Sequence, residues 1–179
     1  MKSFLAAALF ICTIALCASA APPAGWTDDY AKAVEKAKAE NKFLLLDFTG
    51  SDWCGYCKLL DKEVFSTPQF HSWAKKYVVL VQLDFPHNTP LSEAVKAQNS
   101  GLMAKYPTKG FPTVLIVDPA GKELVRQGGY HPGTGAASYL QKLETELKKS
   151  GPLPRASGSP GSPQQPSIFK TPPPPGSSL

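Results

Sequence analysis

Three short apolar runs frame this chain: Phe43–Phe48, Tyr77–Phe85 and Thr113–Asp118. They are short enough for strands, and the valines of the second and third are good β-formers. Helical spacing fills the intervals. Before the first run, Tyr30, Ala33, Val34 and Ala37 recur with helical period, which predicts a helix opening at Trp26, capped by Thr27 or Asp28 and stopped at Asn41. After it, a helix is expected from Cys54 to about Val64, with Leu59 and Leu60 inward. Ser66-Thr67-Pro68 then reads as a second helix start carrying Phe70, Trp73 and Ala74. Pro90 is expected to open a further helix through Leu91, Ala94, Val95 and Ala97. Beyond the third run, Pro119–Lys122 is a turn leading to a fourth strand, Glu123–Gln127, as an antiparallel hairpin. A last helix, Gly135–Lys149, turns Ala136, Leu140, Leu143 and Leu147 inward. This order predicts an α/β domain, a central mixed sheet of about four to five strands with helices on both faces.

The two ends differ from this middle. Lys2 precedes an apolar stretch, Phe4–Cys17, followed by the small-x-small site Ala18-Ser19-Ala20. That is the layout of a secretory signal peptide over 1–20. The stretch is shorter than the ~20 residues of a membrane-spanning helix, so an uncleaved anchor fits less well. Leu16 before Cys17 argues against a lipoprotein signal. At the other end, half of the 18 prolines lie from Pro152 onward, interspersed with Ser and Gly. Such a composition buries too little apolar area to offset its ordering entropy, so 151–179 is expected to be a disordered tail. The domain is expected at 21–150. The formal charge of +5 is spread over lysines mixed with Glu35, Glu40, Glu144 and Glu146, a solvated helix surface with no nucleic-acid motif.

Removing 1–20 takes Cys12 and Cys17 and leaves Cys54 and Cys57 as the only cysteines of the mature chain. A small secreted fold braced by disulfides would need several spaced cysteines. One tight pair in an exported, disulfide-permissive setting points to redox chemistry. Two thiols at C-x-x-C spacing on a helix start close a disulfide with little backbone motion. The first sits where free N–H groups and the helix dipole favour a thiolate. Cys54 is therefore the expected nucleophile, and Cys57 the thiol that resolves the mixed disulfide.

The motif Trp53-Cys54-Gly55-Tyr56-Cys57-Lys58 resembles the W-C-x-x-C-K core of the thioredoxin family. The resemblance continues upstream in Leu46-Asp47-Phe48, whose aspartate ends a strand, and downstream in Tyr106-Pro107-Thr108-Lys109-Gly110-Phe111-Pro112-Thr113. It covers about residues 26–149 and is similar to exported bacterial proteins with a G-S-D-W-C-G-x-C-K site, and to the thioredoxin-like domain of disulfide-reducing membrane systems. It implies a thioredoxin fold and a thiol–disulfide oxidoreductase, acting as a reductase on protein or small-molecule disulfides. By the same resemblance Cys54 and Cys57 form a redox-active disulfide, Pro112 is a cis proline, and Phe111 offers free backbone to an extended substrate. Trp53 shields the site and contacts substrate, or is simply packed in the core. Asp47 accepts the proton of Cys57, or is a strand-end carboxylate bonded to loop amides. Two departures stand out: Asp47 lies one residue farther from the first cysteine, and Tyr56 replaces the family's proline.

The implied partners are disulfide-containing substrate proteins and a membrane electron donor of the thiol-reducing type. The chain is expected to be a monomer in the periplasm, or secreted, with no nucleic-acid partner and no cofactor. A zinc site would need histidines near the cysteine pair, and His71, His87 and His131 are far apart in sequence. A c-type haem site would need His in place of Lys58. Two other readings are open: an oxidase or isomerase, and a non-catalytic binding module.

Overall fold

The computed structural model describes residues 21–151. The expected leader over 1–20 and the tail beyond Gly151 lie outside the described residues. Five strands form one sheet in the order β1-β3-β2-β4-β5. They are β1 (Trp26–Thr27), β2 (Phe43–Thr49), β3 (Val78–Asp84), β4 (Thr113–Val117) and β5 (Glu123–Gly128). β3 runs parallel to β1 and β2, while β4 is antiparallel to β2 and β5. β2 and β3 are covered on both faces, which is why their sequences are almost continuously apolar.

The helices are α1 (Tyr30–Glu40), α2 (Gly55–Leu60), α3 (Pro68–Tyr77), α4 (Glu93–Lys105) and α5 (Gly135–Ser150). On one face Ala33 and Ala37 of α1 and Leu102 of α4 pack on Leu44, Leu46 and Phe48. On the other, Phe70 and Trp73 of α3 and Leu140, Leu143 and Leu147 of α5 pack with Leu45, Leu60 and Ile116. The strand period of two therefore sends Leu45 and Asp47 of β2 to the second face.

Several local expectations hold. Asn41 ends α1 in the left-handed region at φ 50°, and Thr67 caps α3 with Pro68 in its first turn. Three need correction. Trp26 does not open a helix: it pairs with Leu80 as an edge strand and sets its ring 5.1 Å from that of Phe65. Burial of the indole outweighs the helical pattern, and Asp29 caps α1 by accepting the Lys32 N–H. Pro90 does not open α4. Ser92 does, accepting the Val95 N–H at 3.3 Å, and Ala94 and Ala97 face solvent. The helix expected through Val64 changes pitch, with a π-helical turn spanning Asp61–Phe65 and closed by Ser66 N–H to Asp61 C=O at 2.8 Å. The wider turn lets the sequence neighbours Val64 and Phe65 both enter the core.

The topology brings three segments to one edge of the sheet. β2 and β3 are parallel and end together, with Thr49 opposite Asp84. β4 begins there, with Thr113 opposite Phe48. The loop before Cys54, the loop from Phe85 and the Phe111–Pro112 step thus meet beyond the strand ends, where open α/β sheets place their sites.

Candidate active site

Cys54 is the N-cap residue of α2. Its backbone is extended, at φ −81° and ψ 107°, and its Sγ accepts the Cys57 N–H at 3.2 Å. The two sulfurs form a disulfide with the Cα atoms 5.3 Å apart. One turn of helix supplies this spacing. The amide of its third residue, Cys57, points at Cys54 sulfur, where it stabilises negative charge on reduction. Both cysteines are largely covered, while Trp53 and Tyr56 are 40% and 57% exposed. At this exposure Trp53 is not a core residue.

Trp53 is held on three sides. Its Nε1 donates to the Phe85 carbonyl at 2.9 Å. One face stacks on His87 at 4.6 Å and 7° between planes, and Phe111 meets it edge-on at 5.7 Å. These rings, with Phe85, Leu91 and Met103, line a largely apolar groove of about 460 Å³. The indole packs directly over Gly50. A Cβ on Gly50 would lie 2.6 Å from Trp53 Nε1, well inside van der Waals contact. Gly50→Ala is therefore expected to lever Trp53 off its shelf. The check is a shift in tryptophan emission together with a several-fold fall in kcat/KM on a protein disulfide. Unchanged emission would show that the loop absorbs the methyl group.

The Phe111–Pro112 peptide bond is cis. The Pro112 carbonyl accepts the Gly129 N–H at 2.8 Å, whereas neither backbone group of Phe111 has a partner among the described residues. That leaves one N–H and one C=O on the residue whose ring meets Trp53, as strand addition requires.

Asp47 is buried at 5% exposure, and its Oδ1 has no hydrogen-bond partner. Burial, then the charges of Asp61 and Asp84, push its carboxyl up to about 8. It does not hold loop amides. That work falls to two other aspartates. Asp84 accepts from the Ser51 N–H and hydroxyl. Asp52 accepts from the amides of His87, Asn88 and Thr89 at 3.0, 2.6 and 3.1 Å, which hold its carboxyl below the usual range. The two carboxylates lash the segment before Cys54 to the loop after β3. Lys58 joins them by donating to the Asp52 carbonyl at 2.8 Å. Sequence reasoning missed Asp52, Asp84 and His87, because an aspartate in a Gly-Ser-Asp stretch signals a turn without saying whose amides it binds.

A thioredoxin-like domain model matches residues 30–144. The chain belongs to the thioredoxin-like family. It is 36% identical over 121 residues to the disulfide bond reductase DsbH of Chlamydia pneumoniae, covering 68% of this chain and 72% of that one. It is 31% identical over 133 residues to the thioredoxin-related protein DsbJ of the same organism, but spans only 38% of its length. Of the thiol:disulfide interchange protein DsbD of Photorhabdus laumondii it spans 17%, at 34% identity over 105 residues. Among solved structures, a DsbH oxidoreductase superposes with a TM-score of 0.64 at 32% identity, covering 83% of this chain and 95% of that one. A thioredoxin from Thermus thermophilus gives 0.53 at 25% identity, covering 70% and 88%. This thioredoxin-like chain is a thiol–disulfide oxidoreductase. Among its described residues no three His, Cys, Asp or Glu side chains converge as metal ligands would, and no helix is long and apolar enough to cross a membrane.

Proposed function

We propose that this protein works in the reducing direction, opening disulfides of extended polypeptide segments outside the cytoplasm. The observation that carries the mechanism is the Cys57 N–H directed at Cys54 Sγ from a capped helix start. In the reduced protein, Cys54 thiolate attacks one sulfur of the substrate disulfide. A Cys54–substrate disulfide forms, and the other substrate sulfur leaves as thiolate. Cys57 then gives its proton to Asp47 in its ionised form and attacks Cys54 Sγ. The Cys54–Cys57 disulfide forms and the second substrate thiolate departs. Two electrons have passed to the substrate. Asp47 suits the proton step: its carboxyl, near 8, is close to the ~8.5 of an ordinary thiol, so transfer is nearly balanced. The substrate strand would pair with Phe111, pass Pro112 and lay a side chain against Trp53.

The reducing direction is supported by the likeness to a relative named a disulfide bond reductase. The signal-like leader supports export, with the periplasm as the compartment. Export in turn calls for an electron donor at the membrane, and the likeness to part of an interchange protein fits such a chain of transfer. Equilibration with glutathione tests the direction. Family potentials run from about −270 mV for reductants to about −120 mV for oxidants. A value below about −220 mV is expected, and one near −120 mV would overturn the reading in favour of an oxidase.

A further inference from the structure

Asp47 faces a cavity of about 180 Å³ whose lining is mixed, with Thr49, Ser51, Lys58, Gln82 and Asp61 as its polar residues beside Cys57 and the apolar Pro23, Trp26 and Phe65. A water molecule takes about 30 Å³ in the liquid and needs two to four polar partners, so this space suits a short water chain. At its inner side Asp47 is buried, and its Oδ1 is unpartnered. Asp61 is solvent-exposed. It lies four residues after Cys57, on the same helical face, at the point where α2 passes into the π-helical turn. Its carboxylate therefore borders both the cavity and bulk water, with one oxygen 3.4 Å from the Ser66 hydroxyl.

The mechanism above leaves a proton on Asp47 after every turnover, and the cavity that Asp47 shares with Asp61 leads from it toward solvent. We propose that Asp61 is the outer station of a proton relay, taking the proton of Asp47 through the cavity and releasing it to solvent. The inference rests on Asp47 being the acceptor for Cys57. The balance is simple: the proton that leaves Cys57 Sγ sits on Asp47, passes to Asp61 along the cavity and ends on bulk water or buffer, and no electrons move. The other groups around Asp47 do not offer this path. Asp84 is bound to Ser51, Lys58 is turned to the Asp52 carbonyl, to which it donates, and Tyr139 of α5 is buried with its hydroxyl raised well above its ordinary range. Asp61 is thus a positioning residue, acting on the sulfurs only through Asp47.

The test follows the two-step reaction of the reduced full chain with 5,5′-dithiobis(2-nitrobenzoate) by stopped flow from pH 5 to 9. Cys54 attack releases the first thionitrobenzoate, and Cys57 resolution the second. Asp61→Asn should leave the first step unchanged, slow the second about tenfold near pH 7 and alter its pH profile. Asp61→Glu should restore both. In Asp47→Asn, adding Asp61→Asn should cost nothing more. Carbon-13 NMR of the Asp47 carboxyl should show its midpoint falling in Asp61→Asn. If Asp47→Asn slows the second step and Asp61→Asn does not, the relay is overturned and the acceptor reading stands. If Asp61→Asn slows it and glutamate fails to restore it, the effect is structural and the relay is likewise overturned. If Asp47→Asn itself leaves the second step unchanged, the acceptor reading fails first and the relay with it.

Discussion

Cys54→Ser should lower turnover by more than about a thousandfold, because the hydroxyl has no accessible anion at neutral pH and cannot form a sulfur–sulfur bond. Cys57→Ser should lose turnover as completely by a different route. Its Cys54 remains under the same helix start and still attacks substrate, so a covalent Cys54–substrate disulfide accumulates. Non-reducing electrophoresis and intact mass after mixing with a disulfide-bonded protein separate the two. An adduct in Cys57→Ser and none in Cys54→Ser is the expected pair. The structure gives the asymmetry its cause: Cys54 sulfur accepts the Cys57 amide, and Cys54 follows the exposed Trp53. Adducts of equal yield in both variants would mean that the helix start does not distinguish the thiols.

The second large effect combines opposite signs. Asp47→Asn should make the oxidised protein more stable and its catalysis slower. An unfolded aspartate ionises near 3.9, whereas folded Asp47 holds its proton up to about 8. Between these values the folded state binds more protons than the unfolded one, so stability falls as pH rises. The contribution is fully present below about pH 4 and lost by about pH 8. Four pKa units at 1.36 kcal/mol each set its size on the order of 5 kcal/mol. Asparagine is neutral throughout and escapes this loss. Urea unfolding should therefore show the two proteins close at pH 4, with the variant gaining by several kcal/mol at pH 8. A gap that does not change with pH would mean Asp47 titrates normally. The same variant should resolve mixed disulfides roughly 100-fold more slowly, the usual scale of a lost general base. A carboxylate that lowers stability where the protein works is expected at a site kept for chemistry.

The secondary structure was legible where local chemistry and packing agree. Thr67-Pro68 starts α3 because a capping hydroxyl and a proline in the first turn suit a helix opening anywhere. Asn41 ends α1 because it tolerates the left-handed region. The inward set of α5, Ala136, Leu140, Leu143 and Leu147, follows from helical period alone. Two of the three failures share one cause. Trp26 and the Val64–Phe65 pair sit in helical patterns, yet their large side chains have places in a core built from distant segments. Local propensity is worth tenths of a kcal/mol per residue, while burying such a side chain is worth roughly 1.5–3, so burial decided.

The sequence by itself determined the chemistry. Two thiols three residues apart at a helix start, followed at a distance by Phe111-Pro112, define a dithiol exchange site through bonds and spacings that are local. Only the tertiary structure decided what surrounds the sulfurs. Asp47 became a buried, unpartnered acid because β2 is covered on both faces. Asp52 came to grip the amides of His87, Asn88 and Thr89, some thirty-five residues away. Asp61 reached the same cavity as Asp47 because Leu60, the residue before it, packs into one core cluster with Leu45 of β2. Electrostatics and burial depend on three-dimensional distance, which a linear order of residues does not contain.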